Sequence, residues 1–166
     1  MDAIVNWYMS TIGTHIPREL SVFIISMCPI LELRGGLIVA RLLDLPMWRA
    51  IFLCVVGNII PIPFVLLFIK QILKWLKKIP GLGKIAQKIE DRAMSKKDGV
   101  EKAEFWGLVA FVGIPLPGTG AWTGSLVASL LDVKIKKAVV AELLGICIAT
   151  IIMSLLMYGL VGNVIG

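Results

Sequence analysis

Apolar residues fall into long runs along the chain, each bounded or broken by a short polar or turn-forming segment. Residues 20–31 are apolar. Glu32-Leu33-Arg34-Gly35-Gly36 breaks the pattern, a second short apolar stretch runs to Leu43, and Asp44 to Pro46 reads as a turn. Residues 50–69 form an uncharged run of twenty, long enough to cross the ~30 Å hydrocarbon core of a bilayer. Trp48 and Trp75 flank this run, 27 residues apart, or roughly 40 Å of helix, which matches a bilayer with its headgroups. Residues 70–104 are polar and basic. Residues 105–131 are uncharged again, Asp132 to Lys137 is a charged turn, and 138–162 form the last long apolar run, with Glu142 near its start.

The run 105–131 is interrupted by Gly113-Ile114-Pro115-Leu116-Pro117-Gly118-Thr119-Gly120. Two prolines and three glycines in eight residues cannot continue a helix, because proline lacks an N–H and glycine pays a large backbone entropy. The flanking pieces are each about 12–17 Å long as helices, half a membrane. The pattern predicts a re-entrant pair of half-helices; a single kinked spanning helix is the alternative. A break at bilayer depth is tolerated where it is buried in protein or faces a wet cavity.

The two halves match at an offset of 88 residues, with ten identities over 35 aligned positions. Phe23 aligns with Phe111, Pro29 with Pro117, Gly36 with Gly124, Asp44 with Asp132 and Gly57 with Gly145. Each repeat holds one broken hairpin and one full span, and a unit with a single full crossing inverts its successor. The expected fold is an all-α integral membrane protein: an inverted repeat of two re-entrant helical hairpins, each followed by a full transmembrane helix, with the broken helices meeting near the midplane. The expected organisation is one membrane domain over 1–166. It comprises an interfacial helix at 1–19 bearing Trp7 and Tyr8, repeat 1 at 20–69, a basic linker at 70–104 and repeat 2 at 105–162. Ile85 and Ile89 with Lys84 and Lys88 suggest a second amphipathic helix in the linker.

Composition narrows the class. The chain has 166 residues, 58% hydrophobic and 17% charged, with mean hydropathy +0.90. A soluble domain carries about 25% charged residues. A disordered chain, a soluble enzyme and a nucleic-acid-binding domain are thereby excluded, and the cell membrane, with several crossings, is the expected location. No basic n-region precedes the first apolar run, so a cleaved signal peptide is not expected. Cys28, Cys54 and Cys147 lack metal or disulfide spacing and read as packing residues. The net charge of +6 is unevenly placed: residues 70–104 and the turn 132–137 hold thirteen of the seventeen Lys and Arg. A re-entrant 105–131 puts both segments on one side, which the positive-inside rule makes cytoplasmic. Their basic surface would face anionic lipid rather than nucleic acid.

Glu32 and Arg34 lie in the first break. Charges at membrane depth are costly and face a cavity or a partner. They can simply pair with each other; alternatively, Arg34 holds an anionic substrate group while Glu32 takes up and releases a coupling proton. In the second break Thr119, Thr123 and Ser125 supply hydroxyls at the start of a half-helix, where free N–H groups and the helix dipole favour phosphate or carboxylate. Plain N-capping explains the same residues. Trp122 is either a cavity wall or packing. Asn58, beside Gly57 and the Pro61-x-Pro63 kink, is either a lining residue or part of that kink. Glu142 can snorkel, pair with a lysine, or serve in proton coupling. His15 is the single histidine, and no P-loop or nucleophile elbow is present, so no enzyme, metal or cofactor is expected.

Three segments then stand together: Pro29-Ile30-Leu31-Glu32-Leu33-Arg34-Gly35-Gly36, Gly57-Asn58-x-x-Pro61-x-Pro63-Phe64, and Pro115-Leu116-Pro117-Gly118-Thr119-Gly120-Ala121-Trp122-Thr123-Gly124. Over about residues 20–160 the chain resembles the small multidrug export protein family of bacteria and archaea, which implies an integral membrane exporter. The breaks are loosely similar to the DedA superfamily, which implies translocation of polyprenyl-phosphate or phospholipid; Trp122 and the lack of arginine in the second break depart from that pattern. The expected function is export or translocation of a small amphiphilic, anionic substrate. The substrate site expected from the breaks draws on Glu32, Arg34, Gly35, Gly36, Asn58, Pro117, Gly118, Thr119, Gly120, Trp122 and Thr123, with Glu32 and Glu142 for protons. A DedA-like flippase or scramblase, and a non-transporting assembly protein, are the alternatives. Membrane lipids are the expected partners, and a homo-oligomer is compatible with the sequence.

Overall fold

A computed structural model of the chain describes residues 16–80, 82–95, 104–116 and 118–160. The expected interfacial helix, with Trp7 and Tyr8, lies almost wholly outside these residues. All regular structure among them is helical: α1 (Arg18–Met27), α2 (Glu32–Leu42), α3 (Met47–Ile59), α4 (Pro61–Leu76), α5 (Gly83–Met94), α6 (Glu104–Gly113), α7 (Ala121–Leu130), α8 (Ile135–Ser154) and a π-helical turn (Leu155–Leu160).

The first break falls earlier than the pattern predicts. Cys28 is extended, with φ −70° and ψ 135°, because a residue before proline is pushed out of the helical region. Residues 28–31 form the turn, and Glu32 already begins α2. Arg34, Gly35 and Gly36 therefore sit inside a helix rather than in the break. Interior glycines cost about 1 kcal/mol each against alanine; at Gly36 neighbouring helices leave no room for a side chain, and at Gly35 the Leu31 side chain of the preceding turn fills the space, as described below. α1 begins at Arg18, so the expected boundary at 19/20 lies inside it.

The α2–α3 and α7–α8 connections turn in the same way. At the end of α2, Asp44 has φ 54°, its N–H bonds Arg41 O at 3.2 Å, and the Leu45 N–H bonds Ala40 O at 2.9 Å. At the end of α7, Asp132 has φ 56°, its N–H bonds Ser129 O at 3.2 Å, and the Val133 N–H bonds Ala128 O at 3.0 Å. These are Schellman caps, with aspartate in the left-handed position that glycine more often fills. They stand 88 residues apart.

The chain divides into two compact units. The first holds α1, α2, α3 and residues 149–160. Val22, Leu33, Leu37, Ala40 and Cys54 form its core. The π-helical turn is fastened to the end of α2: the Tyr158 hydroxyl donates to Leu45 O at 3.1 Å, and the Arg41 guanidinium lies 5.9 Å from the Tyr158 ring centroid. The second unit holds α4 to α7 and residues 135–148. Leu66, Leu108, Val112, Val127 and Ile146 are buried in it. The Ser129 hydroxyl donates to Leu66 O at 3.3 Å, tying α7 to α4.

Two stretches are long and apolar enough to cross a membrane, Met47–Leu76 and Ile135–Gly159. Ile60 keeps helical angles, φ −55° and ψ −45°; α4 restarts there because Pro61 and Pro63 have no N–H to continue the ladder. In the most apolar 18 residues of each stretch less than half is buried, 39% and 44%. Phe52, Phe64, Trp75, Ile151 and Leu155 are all exposed. Apolar faces of this extent suit contact with lipid rather than water.

Candidate functional site

In the first unit, Glu32 is the focus. It is 4% exposed and has φ 52°, a conformation that costs a non-glycine residue about 1–3 kcal/mol. The Pro29 turn imposes it: the Glu32 N–H bonds back to Cys28 O at 3.0 Å, and the Gly35 N–H to Leu31 O at 2.7 Å. Arg34, two residues on, is half-buried and electrostatically coupled to Glu32.

Gly36 shows why α2 tolerates its glycines. A Cβ there would collide with Ser26 Oγ and stand 2.8 Å from Cys54 Sγ. Three helices meet at this point. Gly35 is equally tight, since its Cβ would stand 2.6 Å from Leu31 Cβ. Asn58 is 3% exposed, and its Oδ1 accepts no hydrogen bond among the described residues. Such orphaned buried acceptors are rare in native structures.

In the second unit, the break occupies residues 114–120. Gly118 and Gly120 have φ 75° and 130°, values that sterics leave open to glycine. Pro117 lies outside the described residues. The alternative reading as N-caps is not seen at α7: Gly120 caps it with no side-chain hydrogen bond. Thr119 turns the other way, its Oγ1 lying 2.8 Å from Leu116 O and 3.1 Å from Ile114 O, so its hydroxyl closes the loop. Trp122 and Thr123 are half-buried in the first turn of α7.

Glu142 behaves unlike a snorkelling residue. It is 0% exposed, and its Oε2 accepts the Ser125 hydroxyl at 2.8 Å. A Cβ on Gly124 would stand 2.7 Å from Val112 Cγ2 and 3.7 Å from Glu142 Oε1. The carboxyl thus sits where α6, α7 and α8 meet, beside Gly124 and Ser125. The Ser125–Glu142 pairing was legible in principle: the two residues lie eight and nine positions from Val133, so a tight helical hairpin brings them level. Only the turn geometry supplies that centre.

Among the described residues each unit thus buries a carboxylate: Glu32 at the break between α1 and α2, and Glu142 on α8, across from Gly124 of α7. Cys54 and Glu142 are 88 residues apart, on α3 and α8, facing Gly36 and Gly124 respectively. No curated protein and no solved structure matches the chain. The model of the small multi-drug export protein family matches residues 32–152, from the strained glutamate of α2 to the end of α8. With its apolar helices and buried carboxylates, the chain belongs to the small multi-drug export protein family.

Proposed function

We propose that the chain is a multi-pass membrane exporter that carries a small amphiphilic, anionic substrate and couples its movement to protons. The burial of Glu142 carries this reading. A carboxylate at 0% exposure inside an apolar helix is costly, and ionisable groups at such positions belong to relays and substrate paths. Its hydrogen bond from Ser125 gives the ionised form a donor, and the neutral form keeps an acceptor oxygen. Glu32 is a second proton-binding group, and Arg34 supplies a planar donor fork for a phosphate or carboxylate.

The broken helices support re-entrant hairpins. α6 and α7 have ten residues each, about 15 Å apiece, half the hydrocarbon thickness. The paired Schellman caps, 88 residues apart, support a structural repeat, and the charge distribution favours its inverted form. Asn58, with its orphaned acceptor, and the glycine-lined loop of Gly118 and Gly120 are further groups for substrate. Proteoliposomes holding the full chain and a fluorescent anionic amphiphile test the reading. Efflux that rises with an imposed pH gradient supports coupled export. Flux indifferent to the gradient points to passive lipid translocation of the DedA kind, and no flux to a scaffold.

A further inference from the structure

Lys70, Lys74 and Lys77 recur along α4 at intervals of four and three residues, which places them on one face of its last turns. They meet partners from two directions. Lys70 Nζ lies 2.6 Å from Asp132 Oδ1 at the end of α7, and Lys77 Nζ lies 2.6 Å from Glu90 Oε2 on α5. Lys74, one turn from each, makes no ion pair among the described residues. The two ion pairs draw α5 and the α7 turn against α4 and leave two adjoining concavities, about 290 and 280 Å³. Lys70 and Lys74 line both.

Three ammonium groups thus face two carboxylates, and the surplus positive charge falls on Lys74. Exposed Lys134, Lys136 and Lys137 follow directly on the Asp132 turn and add to the local field. The surroundings are apolar. Trp75 on α4 is 64% exposed, and Leu82, Ile85 and Ile89, spaced three and four residues apart at the start of and along α5, are 40%, 56% and 40% exposed. Lysines set among Leu66, Leu67 and Leu73 in the cleft lining, on a helix that also carries an exposed tryptophan, have the composition of a bilayer interface, where charged head and apolar tail are met together. A soluble anion gains nothing from apolar neighbours, whereas an anionic amphiphile uses both them and the lysines.

We propose that the cleft of Lys70, Lys74 and Lys77 binds the phosphate of an anionic phospholipid, with Lys74 as the contacting cation and the two ion pairs as the groups that hold the cleft open. This site is separate from the carboxylates assigned to transport. Its occupancy is read without any flux measurement, so the two proposals fail independently.

The test uses the full chain in nanodiscs of phosphatidylcholine with a minor fraction of phosphatidylglycerol, and counts retained lipid by native mass spectrometry. The wild type should retain phosphatidylglycerol well above its bulk fraction. Lys74→Gln should cut that enrichment about tenfold, the loss of one charge-assisted hydrogen bond. Lys78→Gln removes the same charge from a residue that lines neither concavity and should leave most of the enrichment. Equal losses in the two variants would mean diffuse attraction and overturn the site. So would displacement of the lipid by millimolar glycerol phosphate, which would identify a soluble phosphate as the occupant. Retention of the two lipids in their bulk ratio would also overturn it.

Discussion

Glu32 and Gly120 stand 88 residues apart, at the entries to α2 and α7, and both have positive φ, 52° and 130°. The second hairpin meets this demand with glycine, which adopts such angles without penalty. The first meets it with a buried glutamate, at a cost of about 1–3 kcal/mol. Glycine would build the same turn without that cost, so substituting it separates the turn from the carboxyl's proposed role in transport. Glu32→Gly should leave thermal stability in detergent within about 1 kcal/mol of wild type, since relief of strain offsets lost contacts, while export is lost. Export at the wild-type rate would reduce Glu32 to a turn residue.

The Ser125–Glu142 bond separates a proton-carrying role from a packing role. Glu142→Gln retains an oxygen that can accept the Ser125 hydroxyl, so the variant should insert and unfold like wild type. Its transport should no longer respond to a pH gradient. Glu142→Leu also removes the proton site but strands the buried hydroxyl, at a cost of about 1–3 kcal/mol. The check is flux against gradient, alongside a melting curve. A Glu142→Gln variant that still follows the gradient would leave Glu32 as the coupling group.

Gly124 and Val112 form a second testable contact. A methyl on Gly124 would come within 2.7 Å of Val112 Cγ2, so Gly124→Ala should destabilise by about 1–3 kcal/mol through overpacking. Val112→Ala removes the opposing methyl groups, and the double variant should regain part of the loss. Additive destabilisation in thermal unfolding would show that the helices do not meet there. Recovery would fix the α6–α7 packing that holds the Ser125–Glu142 pair.

Much of this was legible in the sequence because membrane helices obey few rules. Uncharged runs located α3, α4 and α8, and the Pro–Gly cluster located the break before α7. The first break was misplaced because Gly35-Gly36 resembles a helix breaker and Pro29 stands alone. Tertiary packing reverses that inference: Gly36 lies against Ser26 and Cys54, a contact that spacing cannot reveal. Of the hydroxyls read either as anion donors or as caps, that of Thr119 meets loop carbonyls, a partner that the spacing did not suggest. Local hydroxyl–backbone bonds compete with caps at every such turn. The strain at Glu32 was beyond sequence reasoning, because it follows from a backbone angle that glutamate seldom adopts.

Arg34 decides whether the first carboxylate belongs to an ion pair or to a site. If Arg34 holds an anionic substrate, Arg34→Ala should abolish export while the protein still inserts. Arg34→Lys should recover only part, because an ammonium keeps the charge but loses the planar fork. If Arg34 merely neutralises Glu32, either single neutral substitution strands a buried charge, at about 3–5 kcal/mol. The double variant Glu32→Gln/Arg34→Gln then removes both charges at once and should recover stability and export together. Measuring melting temperature and flux on the two single variants and the double variant distinguishes these cases. Single variants that keep stability near wild type, with export absent from all three, are the expected result. Full export by the double variant would leave the pair a structural salt bridge and move the substrate contacts elsewhere.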